Sequence, residues 1–146
     1  MSLKNIYTCF PGGKHKALTF SFDDGRVEDR RLVELFNQYG MKGTFNLNSG
    51  LHNAERIPVS EYKELYRGHE VACHTVLDQV AQQVLEERRA LEELVETPVR
   101  GLAYPNGSYT HKIMELLPAL GIRYARTVRS TQGFAIPEDF TEWDPT

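Results

Sequence analysis

Only two cysteines, Cys9 and Cys73, occur in the 146 residues. That is too few for a disulfide-stapled scaffold, and their spacing fits no zinc knuckle. Both read as small buried hydrophobes in a reducing compartment, so the cytoplasm is the default location. A leader removed upstream would leave an extracytoplasmic location open. Residues 1–7 themselves lack the apolar centre of a signal peptide. Every apolar run is short, which excludes a bilayer-spanning helix within the sequence. Basic residues are not in excess. The formal net charge is −3, so no electrostatic footprint for nucleic acid exists. Repeats, linkers and low-complexity stretches are absent as well. What remains is an ordinary globular composition, 40% hydrophobic and 25% charged, long enough for one domain with its own core.

Hydrophobic periodicity divides the chain into alternating strands and helices. Residues 16–22 read as a strand. Residues 28–39 read as an amphipathic helix with Leu32, Leu35, Phe36 and Tyr39 on one face and Gly40 as its stop. A strand follows over 42–47. Ser60 reads as an N-cap of a short helix over 61–67 that Gly68 closes. Residues 70–73 form the third strand. The longest helix is expected over 79–95, with Val80, Val84, Leu91, Leu94 and Val95 as its buried stripe and Glu86-Glu87-Arg88-Arg89 on its solvated face. Residues 99–104 form the fourth strand, 105–107 a turn, 109–120 a helix and 123–128 the fifth strand. An irregular tail carries the single tryptophan, Trp143. This alternation predicts a parallel sheet, either open or curled into a barrel. A complete barrel of eight units needs roughly 200 residues or more, so a barrel here would be incomplete. In both arrangements the working residues lie at strand C-termini.

Three strand ends therefore share one side of the sheet. The first carries Asp23-Asp24-Gly25, the third His74-Thr75 with Asp78 four residues beyond His74, and the fourth Tyr104-Pro105-Asn106-Gly107. Successive strand residues point to opposite faces, so two adjacent carboxylates reach one pocket only where the strand breaks. Gly25 permits that break. Neighbouring carboxylates repel unless a cation or a proton separates them. Carboxylate and imidazole donors with open positions suit zinc or a similar divalent metal. Asp-Asp-Gly is also good turn chemistry, and the pair alone does not decide between a solvated turn and a site.

Four segments in order resemble the signatures of the polysaccharide deacetylases, the NodB-homology domain of carbohydrate esterase family 4. They are Thr19 to Gly25, Gly68 to Thr75, Val99 to Gly107, and Asp139 to Trp143. The resemblance runs from about residue 17 to 146 and implies one domain over 1–146, with truncation at its C-terminus left open. It implies a deformed, incomplete (β/α) barrel and a hydrolase that removes N-acetyl or O-acetyl groups from an acetylated oligo- or polysaccharide. It implies a divalent metal, zinc first, with cobalt or nickel as alternatives. Carried over by position, Asp24 and His74 are metal ligands, and Asp23 is the general base for water that the metal activates. The backbone N–H of Asn106 is an oxyanion donor. Asn46, Tyr104 and Trp143 line the substrate pocket.

This chain departs from the family pattern in three places. Asp78 stands where the second motif ends in His. It reads either as a third metal ligand or as the N-cap of the long helix. Ala103 fills the position of an Arg that holds the catalytic Asp. Arg100, on the opposite face of that strand, reads as a structural ion-pair partner. No counterpart of the fifth motif, which supplies a catalytic His, is found, and no His follows His111. His15, His52 and His111 read as solvated, and His69 as a structural group. Besides the enzyme, two alternatives follow: a catalytically impaired carbohydrate-binding relative, and a hydrolase of non-sugar amides on the same scaffold.

Overall fold

The structure, a computed structural model, describes residues 9–75, 80–133 and 136–146. Five strands, β1 (Ser21–Asp23), β2 (Thr44–Leu47), β3 (Glu70–Cys73), β4 (Gly101–Ala103) and β5 (Tyr124–Arg126), form one sheet in the order β1-β2-β3-β4-β5. Every neighbouring pair is parallel. The order never reverses, so the sheet has no topological switch point, and right-handed crossovers put all the helices on one face. Those helices are α1 (Asp29–Gln38), α2 (Tyr62–Leu65), α3 (Val80–Val95) and α4 (His111–Leu116). The arrangement is an incomplete α/β barrel.

Each strand alternates between two environments. Phe45, Leu47, Val71, Cys73, Leu102 and Ala125 face the helices and are at most 4% exposed. They meet Val33 of α1, Tyr62 of α2, Val84 and Leu91 of α3, and Met114 of α4 in one core. The opposite face is polar. On it Asn46 Nδ2 donates to Ser21 Oγ at 2.8 Å, and Thr44 Oγ1 donates to Glu70 Oε2 at 2.7 Å. A flat sheet would hold β1 and β5 about 19 Å apart. Yet Arg126 of β5 touches Asp23 of β1, with Nη2 2.5 Å from Oδ1. The polar face therefore lines the concave side of a curled sheet.

Several elements are shorter than the periodicity predicts. β1 begins at Ser21, and Leu18 is 76% exposed ahead of it. Ser60 caps nothing: it sits inside a 3-10 turn over Val59–Glu61, and α2 starts without a side-chain cap. Thr110 does cap α4, its Oγ1 accepting from Ile113 N at 3.3 Å. Glu87 is not on a solvated face. It is 8% exposed, and its carboxylate accepts from Ser49 N and Oγ at 2.6 and 2.9 Å. That anchors α3 to the loop after β2. The described part of the tail is irregular apart from one turn and one bridge. A 3-10 turn over Phe140–Glu142 leads to Trp143, whose N–H bonds Ala125 O while its carbonyl accepts from Thr127 N. This parallel bridge takes the place of a sixth strand beside β5. No helix among the described residues is long and apolar enough to cross a membrane.

Candidate active site

The C-terminal ends of β1, β3, β4 and β5 meet at the mouth of the curled sheet. Asp23 is the last residue of β1 and pairs in register with Asn46. The chain then breaks, because Asp24 and Gly25 both take the left-handed conformation, φ 81° and 60°. Glycine suits the left-handed conformation of position 25, and a Cβ there would also press on Leu47 Cδ2 at 3.0 Å. The break turns Asp24 toward the same mouth as Asp23. Its N–H is fixed by Asn46 O at 2.9 Å, and its carbonyl accepts from Arg56 Nη1.

The two carboxylates have different partners. Asp23 Oδ1 receives both Arg126 Nη2 and, at 2.9 Å, Asn46 Nδ2. Its Oδ2 has no protein donor among the described residues. Asp24 Oδ1 lies 3.1 Å from Arg56 Nη1 and 3.8 Å from His74 Nε2. His74 Nδ1 is 3.0 Å from Ala103 O. A carbonyl only accepts, so Nδ1 carries the proton, and in the neutral imidazole Nε2 turns its lone pair toward Asp24. Two lone-pair donors facing each other call for a cation or proton between them.

The donor set fits half of a metal site. Two ligands of a tetrahedral zinc at 2.0–2.1 Å stand about 3.4 Å apart, and no pair on one ion exceeds about 4.2 Å. The 3.8 Å between Asp24 Oδ1 and His74 Nε2 lies inside that range. The Nδ1 contact with a backbone carbonyl is the orienting contact that metal-bound imidazoles have. No group of three His, Cys, Asp or Glu side chains able to hold an ion exists among the described residues. Asp78, the expected third ligand or helix cap, lies outside them, as do residues 76–79.

Of the three residues expected to line the substrate pocket, Asn46 and Tyr104 are buried and Trp143 is half-buried. Asn46 is 1% exposed and spends its amide on Asp23, Ser21 and Phe22 O, which fixes it against the carboxylate at the end of β1. Tyr104 is 1% exposed, stacks on Tyr109 and donates to Thr141 O at 2.8 Å. Desolvation raises the pKa of this phenol, and nothing exposes it to the mouth. Trp143 is half-buried and packs edge-on against Tyr124 and Phe140, which anchors the tail. Asn106 is exposed in a 3-10 turn over Pro105–Gly107, with φ 52°. Arg100 is exposed and joins no ion pair among the described residues. His15, His52 and His111 are exposed, whereas His69 bridges Gly43 N and Asn37 Oδ1. Arg56 and Arg126 were not legible as site residues. The register of Ala103 with Arg126 is the signal that could have found the second.

The family model described as Polysaccharide deacetylase matches residues 11–125, and the chain belongs to that family. Among curated proteins none matches the sequence significantly. Solved structures of low identity share its fold. Streptococcus pyogenes deacetylase PplD, solved in complex with acetate, is 20% identical with a TM-score of 0.80. That alignment covers 92% of this chain and 65% of PplD. BC0361, a polysaccharide deacetylase from Bacillus cereus, is 16% identical with a TM-score of 0.74, covering 87% of this chain and 45% of its own. BA3943, a CE4 family pseudoenzyme from Bacillus anthracis, is 18% identical with a TM-score of 0.61, covering 75% and 42%. This chain thus spans less than two thirds of the length of each. The incomplete barrel is of the deacetylase type.

Proposed function

We propose that this chain is a metal-dependent hydrolase that removes N-acetyl or O-acetyl groups from a carbohydrate. The observation that carries the reading is the divided pair at the end of β1. Asp24 Oδ1 faces His74 Nε2 at 3.8 Å, while Asp23 has one oxygen tied by two donors and the other left over. Asp24 and His74 would hold the ion, with Asp78 as the proposed third ligand. When bound, a divalent ion supplies Lewis-acid activation of water and stabilises the oxyanion of the acetyl carbonyl. Asp23 accepts the proton of the attacking water on Oδ2. Its orientation is preset, because Asn46 and Arg126 both grip Oδ1. The Gly107 and Ser108 amides close onto Tyr104 O and Pro105 O, so Asn106 N–H is the amide of this turn proposed to meet the developing oxyanion. The test is acetate release from an acetylated chito-oligosaccharide by the zinc- or cobalt-loaded chain. Release that a chelator abolishes supports the reading. A folded, metal-loaded chain that releases no acetate overturns it.

A second reading is a carbohydrate-binding relative without turnover. The Arg56 guanidinium favours it, because a cation already stands 3.1 Å from Asp24 Oδ1. A neighbour in fold, BA3943, is a pseudoenzyme. Saturable sugar binding with no acetate released would support this reading, and metal-dependent release would sink it.

A further inference from the structure

The last two strands are complementary in size, residue by residue. β4 reads small, large, small as Gly101, Leu102 and Ala103. β5 reads large, small, large as Tyr124, Ala125 and Arg126. The register pairs 101 with 124, 102 with 125 and 103 with 126. Residues in register point to the same face, so each large side chain lies across a small neighbour. At the lower level the fit is tight: a Cβ on Gly101 would stand 2.3 Å from the Tyr124 ring. One level up, Arg126 extends over Ala103 and reaches Asp23 on the far edge strand. Its side chain is 18% exposed, its Nη2 pairs with Asp23 Oδ1, and its Nη1 donates to Thr127 O at 3.1 Å. The tail brackets it, since Trp143 bonds Ala125 O on one side and Thr127 N on the other.

We infer that Arg126 is the positioning residue of Asp23, a task that the resemblance gives to position 103 on the neighbouring strand. The inference rests on the reading of Asp23 as the base. An Ala at 103 is then no defect. It is the space that lets a guanidinium one strand away approach the carboxylate from the same face. An arginine at 103 and an arginine at 126 would compete for one volume, so each excludes the other. Arg126 and Asn46 converge on Oδ1, and removing either frees the carboxylate to rotate.

The experiment compares the wild type with Arg126→Ala, Arg126→Lys and the exchange Ala103→Arg/Arg126→Ala. On the metal-loaded chain, Arg126→Ala is expected to lose about 10²-fold in kcat with KM nearly unchanged, because a misplaced base costs rate rather than binding. Arg126→Lys or the exchange is expected to restore part of that rate. An unchanged kcat in Arg126→Ala overturns the inference. A second readout needs no turnover. The Asn46 side-chain amide, seen by 15N NMR, donates to Asp23 Oδ1 and is expected to shift in Arg126→Ala and return toward its place in Arg126→Lys. Resonances that stay fixed in Arg126→Ala overturn the inference. If the wild type releases no acetate the deacetylase reading falls by itself, and the Asn46 resonances still decide whether Arg126 positions Asp23.

Discussion

Three aspartates lie within seven residues of the chain, and two neighbourhoods hold them by opposite means. At the mouth, Asp23 and Asp24 each meet a guanidinium, Arg126 and Arg56, brought from 103 and 32 residues away. Behind the sheet, Asp29 opens α1 at 5% exposure, and its side-chain partner there is the Tyr66 hydroxyl, at 2.8 Å. Desolvation pushes the Asp29 carboxyl up to about 6, against the pull of the Tyr66 hydrogen bond and with help from the charge of Glu28. The contrast shows what each place is built for. Side-by-side carboxylates need cations to stay together, and the fold delivers one to each. A lone buried carboxylate lowers its cost by taking up a proton instead.

The largest expected effect separates the two aspartates at the mouth. Asp23→Asn is expected to lower acetate release by about 10²–10⁴-fold, the usual worth of a general base, with cobalt affinity nearly intact. His74→Ala is expected to weaken cobalt binding by about 10²-fold, read from the absorption of the bound ion. Equal losses of affinity in both variants would erase the division of labour. The next effect belongs to Asp29. Its folded-state pKa lies above the ordinary 3.8, so its contribution to stability is greatest below pH 3.8 and is lost as the pH rises through about 6. That rise is worth roughly 3 kcal/mol. Asp29→Asn keeps an acceptor for Tyr66 and has no proton to lose. Urea unfolding of both proteins at pH 4 and pH 7 is expected to show this drop in the wild type only. An equal pH dependence in both would place the buried charge elsewhere.

Much of the site was legible because local signals write it. A strand, a glycine and a helix fix where Asp23, Asp24 and His74 stand, and strand C-termini of a parallel sheet share one side. The core stripe of α3 followed from its period at Val84, Leu91 and Val95. Arg56 was not legible because it comes from the irregular loop after β2, which no periodicity places, and Arg126 because its role depends on curvature. Only a curled sheet lets β5 reach β1, and no local pattern states how far a sheet curls. The burial of Asn46 and Tyr104 was not legible either, because it depends on what the sheet and the tail pack against them. Glu87 misled for a related reason. It sits in a charged run on a helix, and only the loop at Ser49 turns it inward.

The smallest expected effect tests the backbone itself and reverses sign between adjacent positions. Asp24 stands at φ 81°, where a Cβ costs about 1–2 kcal/mol, whereas Asp23 is extended and paired in β1. Substitution by Gly or by Ala removes the same carboxylate and leaves the same arginine without its partner. The difference between the two variants therefore isolates the backbone. At position 24, Gly is expected to be more stable than Ala by about 1 kcal/mol. At position 23, Gly is expected to be less stable than Ala by about 0.5–1 kcal/mol, because it loses more conformational freedom on entering a strand. Urea midpoints of the four variants measure both differences. The same sign at both positions would mean that the chain does not turn at Asp24, and the two carboxylates would then point to opposite faces of the sheet.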